Sequence, residues 1–168
     1  MKRPFVVHIA SIRGTIGARE DVDLSVEMEE LQTSGGVVPE GTPVTFVGAV
    51  EKIEGGMVAT GHVHTSWEGE CRRCLGVARG NIDIDVREVF ELEPVEGESY
   101  KLEHDSVDLE PVVREAVMLE LPIAPVCSED CKGLCPNCGI NRNEATCDCD
   151  TEVKDPRWAV LDGLKDGR

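Results

Sequence analysis

Residues 56–70 read Gly56-Met57-Val58-Ala59-Thr60-Gly61-His62-Val63-His64-Thr65-Ser66-Trp67-Glu68-Gly69-Glu70 and run directly into Cys71-Arg72-Arg73-Cys74. Met57, Ala59, Gly61, Val63, Thr65 and Trp67 alternate with Val58, Thr60, His62, His64, Ser66 and Glu68. A period of two sends alternate side chains to opposite faces of a strand, here one largely apolar and one wet. The pattern extends both ways. Upstream, Val44, Phe46 and Val50 share a face, and Glu54-Gly55-Gly56 turns the chain. Downstream, Ile82, Ile84, Val86 and Phe90 alternate with Asp83, Asp85 and Arg87. Together these runs predict an antiparallel meander with strands over 43–53, 56–70 and 78–92. Cys71 and Cys74 then fall at the turn between the last two strands.

The flanks are less regular. Residues 4–12 read as a strand, and residues 20–34 as acidic and mixed with a short helical turn around Leu24–Leu31. Gly35-Gly36 and the stretch from Pro39 to Pro43 mark loops. Residues 93–107 read as a mobile acidic loop. Asp108 is placed as an N-cap with Pro111 in the first turn. Val112, Val113, Ala116, Val117 and Leu121 then recur at helical spacing until Pro122, which predicts a helix over 108–121. Asp155-Pro156 is read as the start of a C-terminal helix carrying Trp158, Leu161 and Leu164. The expected fold class is α+β: an antiparallel β-meander with a few short helices and a C-terminal cysteine-rich zinc-binding segment. The expected division is a sheet domain over 1–125 and a zinc-ribbon-like cluster with its helix over 126–168. Aromatic residues make up only 4% of the chain, so the core is thin and aliphatic and needs staples. Trp67, Phe90 and Trp158 are therefore read as core residues rather than binding anchors.

The staples are eight cysteines: Cys71, Cys74, Cys127, Cys131, Cys135, Cys138, Cys147 and Cys149. Two of the pairs are C-x-x-C with Gly close behind. That spacing directs two thiolates from one tight turn at a single ion, and Gly relieves the turn. The amino terminus has no long apolar run, so neither an export signal nor a membrane span is expected. In a cytoplasmic setting thiols stay reduced, which favours metal over disulfides. Eight thiolates make two closed four-sulfur Zn²⁺ sites, which fold a protein rather than catalyse. Two groupings stand. In one, Cys71, Cys74, Cys127 and Cys131 meet across the fold while Cys135, Cys138, Cys147 and Cys149 form a local site. In the other, Cys127, Cys131, Cys135 and Cys138 are local and Cys71, Cys74, Cys147 and Cys149 bridge. Loop closure favours the first, because the return from Cys138 to Cys147 is short.

The formal charge is −16, and two tetrathiolate zinc sites bring it to about −20. Such a field repels nucleic-acid phosphates and attracts basic partners. It is uneven: residues 1–19 hold Lys2, Arg3, Arg13 and Arg19 and no acid, whereas residues 83–110 hold eleven Asp or Glu against Arg87 and Lys101. That acidic stretch is read either as solvated loop or as a docking surface for a basic protein. No phosphate-binding loop or nucleophile elbow is present, and no small-molecule substrate is evident. His62, His64, Asp83 and Asp85 read as the wet face of the meander.

The motifs also form an ordered set. Glu70-Cys71-Arg72-Arg73-Cys74-Leu75 follows a strand, and Leu119-Glu120-Leu121-Pro122-Ile123-Ala124-Pro125-Val126-Cys127 comes next. Cys131-Lys132-Gly133-Leu134-Cys135-Pro136-Asn137-Cys138-Gly139, with Asn141 and Asn143, is the most specific, and Asp155-Pro156-Arg157-Trp158-Ala159-Val160-Leu161 closes it. Over residues 5–165 this resembles the YceD family, the large ribosomal RNA subunit accumulation proteins of bacteria and plastids. The resemblance implies a role in 23S rRNA accumulation and large-subunit biogenesis. Combined with the charge, it gives a non-enzymatic factor that binds a ribosomal protein or a large-subunit precursor. Direct rRNA binding through Arg72 and Arg73, with Lys132, Arg142, Lys154 and Arg157, is a second reading, and a thiol-redox or metal-transfer role is a third.

Overall fold

The structure, a computed structural model, describes residues 5–150 and residue 157. Three long strands carry it: β4 (Pro43–Ile53), β5 (Gly56–Glu70) and β6 (Val77–Glu91), each antiparallel to the next. The meander thus forms within a residue of its predicted bounds. Its register puts Val63 opposite both Phe46 and Ile84, so the three inward faces coincide. Phe46, Val50, Met57, Ala59, Val63 and Phe90 are all buried there. Phe46 fills a hole left by its neighbour: a Cβ on Gly61 would stand 2.5 Å from the ring. A glycine facing an aromatic across a strand pair lets one large ring cover two positions.

Around the meander lie β1 (Val6–His8), β2 (Arg19–Glu27), β3 (Gly36–Val37), β7 (Tyr100–Lys101) and β8 (Ser106–Asp108). The main sheet runs β2-β4-β5-β6-β7, with β3 also on β5, while β1 and β8 pair separately. A single helix among the described residues, α1 (Glu110–Glu120), lays Val112, Val113, Ala116 and Val117 on the core.

Four expectations are corrected. Residues 19–27 form β2, antiparallel to β4, not a helical turn near Leu24. The alternation was present: Val22, Leu24 and Val26 turn inward between exposed Asp21, Asp23, Ser25 and Glu27. Leu24, Met28 and Leu31 also fit helical spacing, and only the edge of β4 decides between the two. The first strand is short, Val6–His8, because its partner β8 has only three residues. The acidic stretch 93–107 is no continuous loop: it holds β7 and part of β8, and buries Leu102 and Val107 in the core. Finally, the helix cap is Leu109, and Asp108 stands one residue earlier, its carboxylate accepting from the Glu110 backbone N–H at 3.0 Å. At the other end Leu121 adopts φ −58° and ψ 127°, the extended conformation a following proline imposes, which stops the helix. The expected C-terminal helix with Trp158 lies outside the described residues. Phe90 is fully buried, its ring 5.5 Å from that of Tyr100, and Trp67 is partly buried.

The wet face of the meander carries a cross-strand network. His62 faces Asp85 and His64 faces Asp83 in the β5–β6 register. His62 Nδ1 lies 3.1 Å from Asp85 and His64 Nδ1 2.7 Å from Asp83, with His62 Nε2 3.4 Å from Asp83. Hydrogen bonds to Asp85 and then Asp83 raise the His62 pKa above its ordinary 6.5. Those of His64 and then His62 lower that of Asp83 below 3.8. A raised folded value means that the His62 contribution is full below pH 6.5 and fades as pH rises through the folded value. The Asp83 contribution is full above 3.8 and fades as pH falls through its lowered value. The network is therefore strongest between these limits. Asp85→Asn is expected to move the His62 titration midpoint, followed by NMR of the imidazole, down toward 6.5. An unmoved midpoint would remove Asp85 as the cause.

Candidate metal centres

The β5–β6 hairpin does not close with a short polar turn. It closes with Cys71-Arg72-Arg73-Cys74-Leu75-Gly76, in which the Cys71 N–H donates to the Gly76 carbonyl at 2.7 Å and the Leu75 N–H to the Cys71 carbonyl at 2.9 Å. The segment Cys135-Pro136-Asn137-Cys138-Gly139-Ile140 repeats this pattern, Cys135 N–H to Ile140 carbonyl at 2.8 Å and Gly139 N–H to Cys135 carbonyl at 2.9 Å. Two knuckles separated in sequence thus share one backbone geometry. In each, the residue after the second cysteine takes a positive φ: 60° at Leu75 and 74° at Gly139. The left-handed residue of the first knuckle is therefore Leu75 and not the following Gly76. A leucine there bears strain that glycine avoids.

The cysteines gather into two groups, Cys71, Cys74, Cys127 and Cys131, and Cys135, Cys138, Cys147 and Cys149. Within each group the sulfurs lie within 4.8 Å of one another. This is the first of the two groupings weighed above. Cys71 Sγ is 3.8 Å from Cys131 Sγ, and Cys74 Sγ is 3.6 Å from Cys127 Sγ. Those separations are far beyond a disulfide bond of about 2.05 Å. They match the edge of a sulfur tetrahedron, about 3.8 Å, that a metal–sulfur distance of about 2.3 Å requires. The donor set and its spacing fit a metal ion, the remaining sulfur pairs lying within 4.8 Å.

Electrostatics prepare both groups for a cation. Burial pushes the Cys71 thiol up, but the N–H groups of Cys74, Arg73 and Cys127 aimed at its sulfur outweigh this and bring it to about 6. The N–H groups of Cys138 and Asn137 likewise bring Cys135 to about 6. Cys131 is lowered chiefly by Asn143, whose Nδ2 donates to its sulfur at 3.3 Å. Their neighbours move the other way: Cys131 and Cys74 raise Cys127 to about 12, and Cys138 and Cys147 raise Cys149 to about 12. Crowded sulfurs without a cation cannot all be thiolates, and a bound cation releases the remaining protons.

Sequence reading did not assign Asn143 its role. Besides Cys131, its Nδ2 donates to Asn141 Oδ1 at 2.9 Å, and its Oδ1 accepts the Lys132 N–H at 2.8 Å. Asn141 in turn donates to Glu144 at 2.7 Å. The asparagine thus locks the loop between the two groups while holding a sulfur. Asn143→Ala is expected to weaken metal binding at the first group by about 10–100-fold. Competition with a chromogenic chelator reads this directly, and an unchanged exchange constant would deny Asn143 that role.

Arg73 is likewise not a free cation. Its Nη1 donates to the carbonyls of Glu129 at 2.9 Å and Cys131 at 3.2 Å, and its own carbonyl accepts the Leu134 N–H at 2.9 Å. It braces the cysteine segment against the hairpin. Arg72 is exposed, with its N–H bonded to the Pro125 carbonyl at 2.9 Å. Among the described residues no helix is long and apolar enough to cross a membrane.

No solved structure matches the chain. An uncharacterized protein of Mycobacterium tuberculosis (strain ATCC 25618 / H37Rv) is 37% identical over 119 residues, covering 67% of this chain and 57% of its own length. One of Mycobacterium leprae (strain TN) is 32% identical over 113 residues, covering 62% and 52%. The chain thus spans little more than half the length of these relatives. A chloroplastic protein of Arabidopsis thaliana, described as a homolog of the large ribosomal RNA subunit accumulation protein, is 38% identical over 60 residues, covering 36% of this chain and 19% of its own. The family described as large ribosomal RNA subunit accumulation protein YceD matches residues 59–165, a span that includes both knuckles and all eight cysteines. Hairpin, cysteine segment and family pattern coincide, and the chain belongs to the YceD family.

Proposed function

We propose that this chain is a non-catalytic, zinc-binding assembly factor that supports accumulation of 23S rRNA by engaging a basic ribosomal protein or a large-subunit precursor. The family match over residues 59–165 carries this reading. The cysteine groups support zinc, one ion in each, because four closely set sulfurs suit a tetrahedral, redox-inert cation. The zinc sites act as staples: the first ties the end of the β5–β6 hairpin to the segment after α1, and the second closes the remainder. A net charge of −16 suits encounter with basic ribosomal proteins and opposes direct RNA contact. The engagement of Arg73 by backbone carbonyls also weighs against a knuckle that reads RNA.

The test is sedimentation of the tagged protein from its host lysate through a sucrose gradient at low and high salt. Co-sedimentation with large-subunit precursors, weakened by salt, is expected. A protein found only at the top of the gradient at both salts, without a bound ribosomal protein, would overturn the reading.

A further inference from the structure

Strand β6 is paired along its whole length with β5, but among the described residues only its Phe90 and Glu91 have a strand partner on the other side, in β7. Among the described residues, the backbone from Arg79 to Arg87 therefore faces no strand on that side. An open edge offers a row of N–H and C=O groups to an incoming extended chain. This edge also has a floor. Between β6, α1 and the approach to β7 lies a cavity of 430 Å³ whose lining includes Ile84, Leu119 and the charged residues Asp85, Arg87, Glu88, Glu98 and Glu115, four acids against one base. Leu119 is 78% exposed although it sits on the same helix as the buried core residues. Glu88 is partly buried, and Glu115 accepts a hydrogen bond from the Tyr100 hydroxyl. Among the described residues neither Glu88 nor Glu115 has a cationic partner. Like charges held together in a partly dry groove raise the Glu88 pKa, burial being the larger cause and Glu115 the second. An entering cation would relieve both.

We propose that the open edge of β6 receives an extended, lysine- or arginine-bearing segment of a partner protein as an added strand. Its inward side chains then enter the groove, apolar ones against Ile84 and Leu119 and basic ones against Glu88 and Glu115. Its outward side chains pass Asp83 and Asp85, which are 56% and 93% exposed at the side chain. Charge selects this occupant over a second copy of the chain, because edge-to-edge pairing would bring two sets of these carboxylates together. The cavity beside α1 lies along the β6 edge and gives the inward side chains of an added strand a place to enter. The inference deepens the proposed function, on which it rests for the identity of the partner but not for the site.

The probe is a synthetic peptide alternating lysine and valine, about eight residues long to match the open stretch at ~3.4 Å per residue. It is titrated into isotope-labelled, zinc-loaded protein. Saturable amide shifts confined to residues 79–88 and the facing turns of α1 are expected, with slowed amide exchange along β6. The Glu88→Gln/Glu115→Gln double variant removes repulsion, so it stays folded with an unchanged or higher melting temperature, yet binds at least about tenfold more weakly. A matched glutamate–valine peptide is expected not to bind. Absence of shifts, shifts elsewhere, equal binding by the double variant, or displacement of the same signals by single-stranded RNA instead of the peptide would each overturn the proposal. The gradient separates the two readings. A double variant that loses the peptide but still co-sediments with precursors removes the edge as the docking surface and leaves the assembly role. A wild-type protein that binds the peptide but never meets a ribosomal component does the reverse.

Discussion

On the proposed assignment of one zinc ion to each cysteine group, Cys71→Ser is expected to reduce bound zinc from two equivalents per chain to one and to detach the cysteine segment from the end of the β5–β6 hairpin. Cys71 is fully buried, and its sulfur draws N–H groups from its own knuckle and from Cys127. A serine oxygen is harder and shorter, and it leaves the three remaining sulfurs crowded without a matched ion. The free energy of a structural zinc site, about 10–16 kcal/mol in isolated zinc-finger peptides, is largely folding energy. Even a small share lost here exceeds an ordinary surface substitution of about 0.5 kcal/mol. The consequences spread because Cys71, Cys74, Ala78 and Cys131 form their own buried cluster, with Trp67, Val126 and Leu134 packed on it. Cys149→Ser provides the contrast. It is expected to release the other ion while leaving the sheet resonances in place, because all four sulfurs of its group lie within residues 135–149. Metal content by mass spectrometry and amide spectra of Trp67, Val126 and Leu134 separate the two cases. Two retained equivalents in the Cys71 variant, with unchanged spectra at those residues, would refute the assignment of Cys71 as a ligand.

Phe46→Ala is expected to cost about 3–5 kcal/mol, a large part of the about 5–15 kcal/mol that stabilises a domain of this size. Phe46 is fully buried in a chain with three phenylalanines, and its ring covers the gap left by Gly61 on the neighbouring strand. Truncation leaves a cavity that the rigid β4–β5 ladder cannot collapse. Gly61→Ala attacks the same packing from the opposite side, since the new methyl would meet the Phe46 ring at 2.5 Å and the Val47 carbonyl at 2.8 Å. Overpacking of this kind costs about 1–3 kcal/mol. Denaturant unfolding monitored by circular dichroism measures both, and a midpoint within error of wild type for Phe46→Ala would show that the ring is not the keystone of the sheet. Neither change is expected to disturb the cysteine groups while the protein remains folded, since Phe46 and Gly61 line no part of them and Cys71 and Cys74 follow the far end of β5.

The meander was legible because its information is local. A period of two in Met57–Trp67 and again in Ile82–Phe90 is a property of consecutive residues, and buried faces enforce it wherever a strand forms. Helix α1 was legible for the same reason, and Pro122 marked its end. The eight cysteines and their spacing marked two candidate metal sites, and the structure gathers the sulfurs into two groups of four. What the chain order left open was decided by neighbours. Val22, Leu24 and Val26 satisfy a strand, while Leu24, Met28 and Leu31 satisfy a helix turn, and the free edge of β4 selects the strand. Leu102 and Val107 are isolated apolar residues in an acidic stretch, and only the underside of the sheet and α1 draws them inward. Which cysteines meet depends on the β5–β6 hairpin bringing Cys71 and Cys74 to a segment that follows α1, a separation of 53 residues between Cys74 and Cys127. The roles of Asn143 and Arg73, and the open edge of β6, exist only in three dimensions. Periodicity and ligand type are written along the chain, whereas pairing, enclosure and vacancy depend on what the rest of the chain places alongside.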